Sequence, residues 1–113
     1  MSILEIHGTN DSHVNYTGGA HLEGVGGPYP PVATTISDWM TLNGCTPGSL
    51  AVSGDAFSLD SVIPGPETTP YSASCPPGVD VSHWNVEGGQ HIPTLEPDFA
   101  ERIITYLLAH PKP

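Results

Sequence analysis

The order of apolar patterns along the chain predicts an α/β fold, with a strand, a helix, a hairpin, a strand and a closing helix in succession. Three observations carry this: a β-prone run at the start, a helix-spaced apolar set in the middle, and a second such set at the end. Residues 2–7 read Ser-Ile-Leu-Glu-Ile-His, with Ile3, Leu4 and Ile6 on both faces, as in a strand covered on each side in a parallel sheet. The run stops at Gly8-Thr9-Asn10-Asp11. Residues 17–31 are polar and glycine-rich and read as an exposed loop. A helix is predicted over 31–43, where Val32, Ile36, Trp39 and Met40 share a face, Pro31 suits a first turn and Gly44 suits the C′ position. Residues 50–63 resemble a hairpin or two short strands around Ser53-Gly54-Asp55, and the Pro-rich stretch 64–78 reads as irregular. Residues 79–86 alternate well enough for another strand, followed by the glycine-rich loop Glu87-Gly88-Gly89-Gln90-His91. The last helix is expected over 97–109, with Phe99, Ile103 and Leu107 as its stripe, widened by Ile104 and Leu108, and His110-Pro111 as its stop.

Composition narrows the classes of partner. The 113 residues fit one domain, or one large piece of a domain, and could bury roughly two thirds of the unfolded surface. Glycine and proline number 13 each but follow no three-residue period, which excludes a collagen-like chain. Two Lys+Arg stand against 12 Asp+Glu, a net charge of −10. Nucleic-acid binders gain affinity by displacing counterions with basic side chains, and here only Arg102 and Lys112 are available. The same sign disfavours anionic membrane surfaces. No apolar run approaches the roughly 20 residues of a membrane span, and the first residues do not have the pattern of a signal peptide. The expected partners are therefore neither nucleic acid nor membrane.

Chemistry concentrates at two strand ends. In open α/β sheets functional groups gather at the carboxyl ends of strands, where loops aim them into one crevice. The first end presents Asp11 and the second His91, eighty residues later. Two neighbouring parallel strands could bring them within hydrogen-bond reach. A carboxylate on one imidazole nitrogen would leave the other to take a proton from a nucleophile. The plainer reading makes Asp11 a turn residue bonding its own backbone and His91 an exposed loop residue. His83 and Trp84 share a strand and read as packing residues, and Trp39 as core. Six histidines invite a metal, but no H-x-x-x-H or C-x-x-C spacing occurs, so neither metal nor other cofactor is expected. Cys45 and Cys75 are the only cysteines. They read either as a disulfide or as containing a thiol nucleophile for His91, the latter disfavoured because an acidic chain disfavours thiolate. The triplets Asn10-Asp11-Ser12 and Asn15-Tyr16-Thr17 match a glycosylation pattern that arises often by chance.

Several segments resemble α/β-hydrolases, most of all secreted esterases of the polyhydroxybutyrate-depolymerase and feruloyl-esterase type. They are His7-Gly8-Thr9-Asn10-Asp11-Ser12-His13-Val14-Asn15-Tyr16, Asn43-Gly44-Cys45 with Cys75, and Val86-Glu87-Gly88-Gly89-Gln90-His91 ahead of a helix ending Leu107-Leu108-Ala109-His110-Pro111. The resemblance covers nearly the whole chain in order. It implies that Asp11 and His91 are acid and base of a Ser-His-Asp triad, that Cys45 and Cys75 form a disulfide, and that the protein works in an extracellular or periplasmic compartment.

The chain departs from that pattern in three places. Gln90 stands where a third glycine is usual, and Ile92-Pro93 where an aromatic follows the histidine. No G-x-S-x-G nucleophile elbow occurs; the nearest look-alike, Ala51-Val52-Ser53-Gly54-Asp55, lacks the first glycine and follows the acid. Set against the family, residues 1–113 correspond to a single partial α/β-hydrolase domain, its C-terminal portion. Losing the nucleophile leaves only oxyanion-hole and binding terms, about 10³–10⁴ over water, and the oxyanion loop is also expected upstream. The expected function is thus carboxylic ester hydrolysis on a polyester or a feruloyl or acetyl ester, weak or absent in the chain alone. The alternative is a non-catalytic α/β binding or assembly module on the same scaffold. Under either reading the opening strand would have a free edge, so a homo-oligomer or a complementing N-terminal chain is expected.

Overall fold

The computed structural model describes residues 1–20 and 27–112, so residues 21–26 of the expected loop 17–31 lie outside the described residues. Four strands form one mixed sheet: β1 (Ile3–Gly8), β2 (Ala51–Val52), β3 (Thr68–Ser72) and β4 (Val81–Val86), in the order β1-β4-β3-β2. The helices are α1 (Val32–Leu42) and α2 (Phe99–Ala109). The α/β class expected from the pattern order is the one observed.

β1 and β4 run parallel, with Ile3 opposite Val81 and Gly8 opposite Val86, whereas β3 is antiparallel to β4 and β2 to β3. Side chains alternate across a strand, so each face of the sheet can take its own helix. On one face Val81 meets Val32, Ile36 and Met40 of α1, with Trp39 and Tyr16 half-buried beside them. On the other face Trp84 and Val86 meet Leu59, Leu4 and Ile6, with Phe99 and Ile103 of α2 packed against them. No residue of α2 is fully buried, and Ile104, Leu107 and Leu108 face outward. The predicted stripe of α2 is therefore half used. α1 ends as its sequence implies, at Gly44 with φ +70°, a backbone conformation that costs glycine little.

Two expectations are corrected. The hairpin foreseen over 50–63 does not form; only Ala51–Val52 is a strand there, and it pairs with a later segment. That partner, β3, lies inside the stretch expected to be irregular, and it contains Pro70 opposite Trp84. Proline cannot donate to a ladder and is ordinarily confined to edges. Here the Pro70 carbonyl accepts from Ser53 N–H at 2.9 Å, so its nitrogen faces the same side, just where two-residue β2 gives out. The ladder with β4 loses nothing, and the position behaves as an edge.

The Cys45–Cys75 disulfide is present and ties the end of α1 to the segment after β3 across 30 residues of sequence. In the chain-entropy description such a closure is worth about 3–4 kcal/mol. The double variant Cys45→Ser/Cys75→Ser is expected to lose about that much in urea unfolding. Unchanged stability would show that the helix packing alone holds this corner.

Candidate functional site

Both candidate residues leave the sheet at the same end because β1 and β4 are parallel neighbours in step. The loops that follow are sewn together by the backbone. Thr9 N–H donates to the Val86 carbonyl at 2.9 Å and Asn10 N–H to the Gly89 carbonyl at 3.0 Å. The Thr9 hydroxyl accepts from Gly88 N–H at 2.8 Å. Gly8 has no room for a side chain, since a Cβ there would stand 2.2 Å from the Gly89 carbonyl oxygen. This close crossing explains why the segment must be glycine at both positions.

The crossing brings Asp11 and His91 together. His91 Nδ1 lies 2.9 Å from Asp11 Oδ2. Asp11 is only 8% exposed, and its other oxygen, Oδ1, accepts from the N–H groups of His13 and Val14, both at 2.8 Å. Asp11 thus closes its own turn through Oδ1 and meets His91 through Oδ2. Burial alone would raise the Asp11 carboxyl, but the hydrogen bonds from His91, Val14 and His13 outweigh it and hold the group below its usual range. The imidazole of His91 is 42% exposed and stacks on His13, with ring centroids 5.0 Å apart. Among the described residues no side-chain hydroxyl is hydrogen-bonded to the His91 ring.

A cavity of about 250 Å³ opens beside the pair, lined by His7, Asp11, Leu59, Gln90, His91 and Pro93 among others. Gln90 and Pro93, two of the departures from the esterase pattern, are in its wall. Ile92, which stands next to Pro93, is 84% exposed. A larger cavity, about 500 Å³, runs along α2 past Trp84, Arg102 and Tyr106 and touches neither Asp11 nor His91. The smaller one holds the convergent polar groups, and that makes it the candidate site.

Two buried carboxylates that the sequence did not single out hold the segment after His91. Asp60 Oδ1 accepts from Thr94 N–H at 3.2 Å, while Ser61 N–H donates to Thr94 O and Glu96 N–H to Leu59 O, both at 2.8 Å. Glu67 Oε1 takes the N–H groups of Leu59 and Asp60 and the Thr68 hydroxyl. Burial works against the Glu67 charge, yet these donors hold its carboxyl below the ordinary range. No spacing in the sequence marks either residue, because their partners are backbone groups of loops. Ser53, the elbow look-alike, is exposed at the end of β2 and does not lead into a helix. Among the described residues no group of three or more His, Cys, Asp or Glu is placed to hold a metal, and no helix is long and apolar enough to cross a membrane. No protein-family model, curated protein or solved structure matches the chain.

Two outcomes follow from this geometry. Gly8→Ala forces the loops apart and is expected to cost about 1–3 kcal/mol and remove the downfield ring-proton resonance of His91; retention of both would contradict the close crossing. Glu67 and Asp11 are depressed in the fold, so each contributes stability above its unfolded value, 4.5 and 3.8, and loses it as pH falls through the folded value. Glu67→Gln should therefore cost about 1–2 kcal/mol in urea unfolding at pH 7, a deficit that shrinks as the solution is acidified below pH 4.5. A deficit independent of pH would assign the effect to packing.

Proposed function

We propose that the chain carries the acid and base of a Ser-His-Asp carboxylic ester hydrolase, as the C-terminal portion of an α/β-hydrolase fold of the polyhydroxybutyrate-depolymerase or feruloyl-esterase type. The single observation behind this reading is the Asp11–His91 hydrogen bond at the carboxyl ends of adjacent parallel strands. With its Nδ1 proton held by Asp11, His91 can take a proton at Nε2 from an attacking hydroxyl and return it to the leaving alcohol. Asp11 orients the ring and stabilises the imidazolium. The neighbouring cavity, with Leu59, Val86 and Pro93 in its wall, suits the acyl part of a polyester, acetyl or feruloyl ester. The disulfide is of the kind that persists in oxidising compartments, which agrees with an extracellular or periplasmic setting.

The nucleophile is the element this reading must import. The 113 residues hold no G-x-S-x-G, so a complementing nucleophile-bearing chain would supply the serine and the oxyanion hole. Among the described residues β1 is paired on one side only, by β4, and its other edge could receive a strand from such a partner. The second reading, a non-catalytic binding or assembly module, is favoured by the lack of a hydroxyl on the His91 ring among the described residues. Hydrolysis of p-nitrophenyl acetate separates the two. The ester reading expects weak turnover that His91→Ala abolishes and Asp11→Asn lowers about 100-fold or more. Equal rates in all three proteins, measured with a nucleophile-bearing N-terminal chain added, would assign the chain to the non-catalytic module.

A further inference from the structure

A second histidine touches the same carboxylate oxygen as His91. His7 Nε2 stands 2.8 Å from the Val14 carbonyl and 3.4 Å from Asp11 Oδ2, and its Nδ1 stands 3.2 Å from Glu5 Oε1. Hydrogen-bond valence constrains where the ring hydrogens of this cluster lie. A carbonyl can only accept, so His7 Nε2 carries a hydrogen. A neutral ring would then present a bare Nδ1 lone pair to a carboxylate oxygen, two acceptors face to face. The other histidine on Glu5 has no such conflict. His83 Nδ1 meets Glu5 Oε2, and its Nε2 lies 3.1 Å from the Tyr16 hydroxyl, which can donate. His83 is satisfied as a neutral ring; His7 is satisfied only with a hydrogen on each nitrogen. All of this lies out of bulk water: the side chains of His7, Glu5 and His83 are 14%, 20% and 3% exposed.

We propose that Glu5 holds His7 as an imidazolium and that His7 is thereby a positioning residue for Asp11. The cation keeps the carboxylate ionised and seated at the end of β1 while His91 turns over its proton. It also repels a second positive charge on His91, so a proton accepted there is passed on instead of kept. That consequence rests on the acid–base reading of the dyad; the proton state of His7 does not. Around the pair stand Glu5 and His7 on β1, Asp11 and Tyr16 on the following loop, His83 on β4, Tyr71 on β3 stacked against His83, and His91 with His13 beyond Asp11. Glu87 adds a further negative charge felt at Tyr16. Neither Arg102 nor Lys112 is among these groups, so no Arg or Lys competes for Glu5.

Long-range ¹H–¹⁵N spectra of the whole chain with labelled histidine test this at pH 7. The expected spectrum has both His7 ring nitrogens protonated and His83 protonated at Nδ1 alone. A bare His7 Nδ1 in the unaltered protein, including the case in which Glu5 carries the proton, overturns the proposal. In Glu5→Gln the new amide can donate to Nδ1, so His7 should lose one ring hydrogen. Asp11, relieved of the cation, should then draw the His91 Nδ1–H resonance further downfield. His7→Gln should give the same His91 shift, which keeps the test alive should Glu5→Gln fail to fold. An unmoved His91 resonance in both variants would leave His7 a packing residue and overturn the positioning role. A doubly protonated His7 in a chain that shows no ester turnover even beside a nucleophile-bearing partner would sustain this proposal and end the ester reading; a neutral His7 in an active complex would do the reverse.

Discussion

Everything at the candidate site depends on β1 and β4 being parallel neighbours in register, with Gly8 opposite Val86 and the Gly89 backbone crossing directly over Gly8. Parallel pairing sends both following loops to one end of the sheet. The crossing then removes the freedom those loops would otherwise have, because the N–H groups of Thr9 and Asn10 are satisfied by the partner loop. With both backbones fixed, one short hydrogen bond between Asp11 and His91 needs little further ordering of either side chain. Orientation of this kind is what the proposed acid–base chemistry requires.

The acidic balance of the chain has a structural solution that recurs across the molecule. With 12 carboxylates and two basic residues, ordinary ion pairs cannot neutralise the interior. Arg102 of α2 pairs with Asp98, the residue just before that helix. The buried carboxylates are instead met by backbone N–H groups and by histidine: Asp11 by His13, Val14 and His91, Glu67 by Leu59 and Asp60, Glu5 by His7 and His83. Such bonds offset the lost hydration of a buried charge, although Glu67 Oε2 is buried with no hydrogen-bond partner among the described residues. For Asp11 and Glu67 the same arrangement ties loops down, since each carboxylate gathers two backbone donors from residues that belong to no strand or helix. In this way the 57–62 segment becomes a brace for the chain beyond His91.

Sequence and structure agree where a pattern is local. The apolar spacing of Val32, Ile36 and Met40 sets the buried face of α1, Gly44 ends it, and the runs at 2–7 and 79–86 become β1 and β4 with small changes of boundary. Candidate residues Asp11 and His91 could be read as a pair because both follow predicted strands of the same sheet. β3 could not be read, since Thr68, Thr69 and Tyr71 favour strands but Pro70 and the Pro-rich surroundings argue against one, and Pro70 is acceptable only because β2 stops beside it. Asp60, Glu67 and the Glu5–His7 pair escaped notice for a related reason. The partners of Asp60 and Glu67 are chiefly backbone N–H groups of loops, which no side-chain pattern encodes. Glu5 and His7, two residues apart on one face of β1, gain their further partners His83 and the Val14 carbonyl only in the folded chain.

What the amino-acid order alone determined is the class of fold, the two helices, the glycine turns and the residue types available for chemistry, because these follow from periodicity and backbone preference over a few residues. Tertiary structure alone decided that the Asp11 carboxylate would use one oxygen for its own turn and the other for His91, and that His7 would share the second oxygen. Hydrogen-bond valence is a property of a crowded site, where each lone pair has one claimant. It can be counted only after distant strands have been laid side by side.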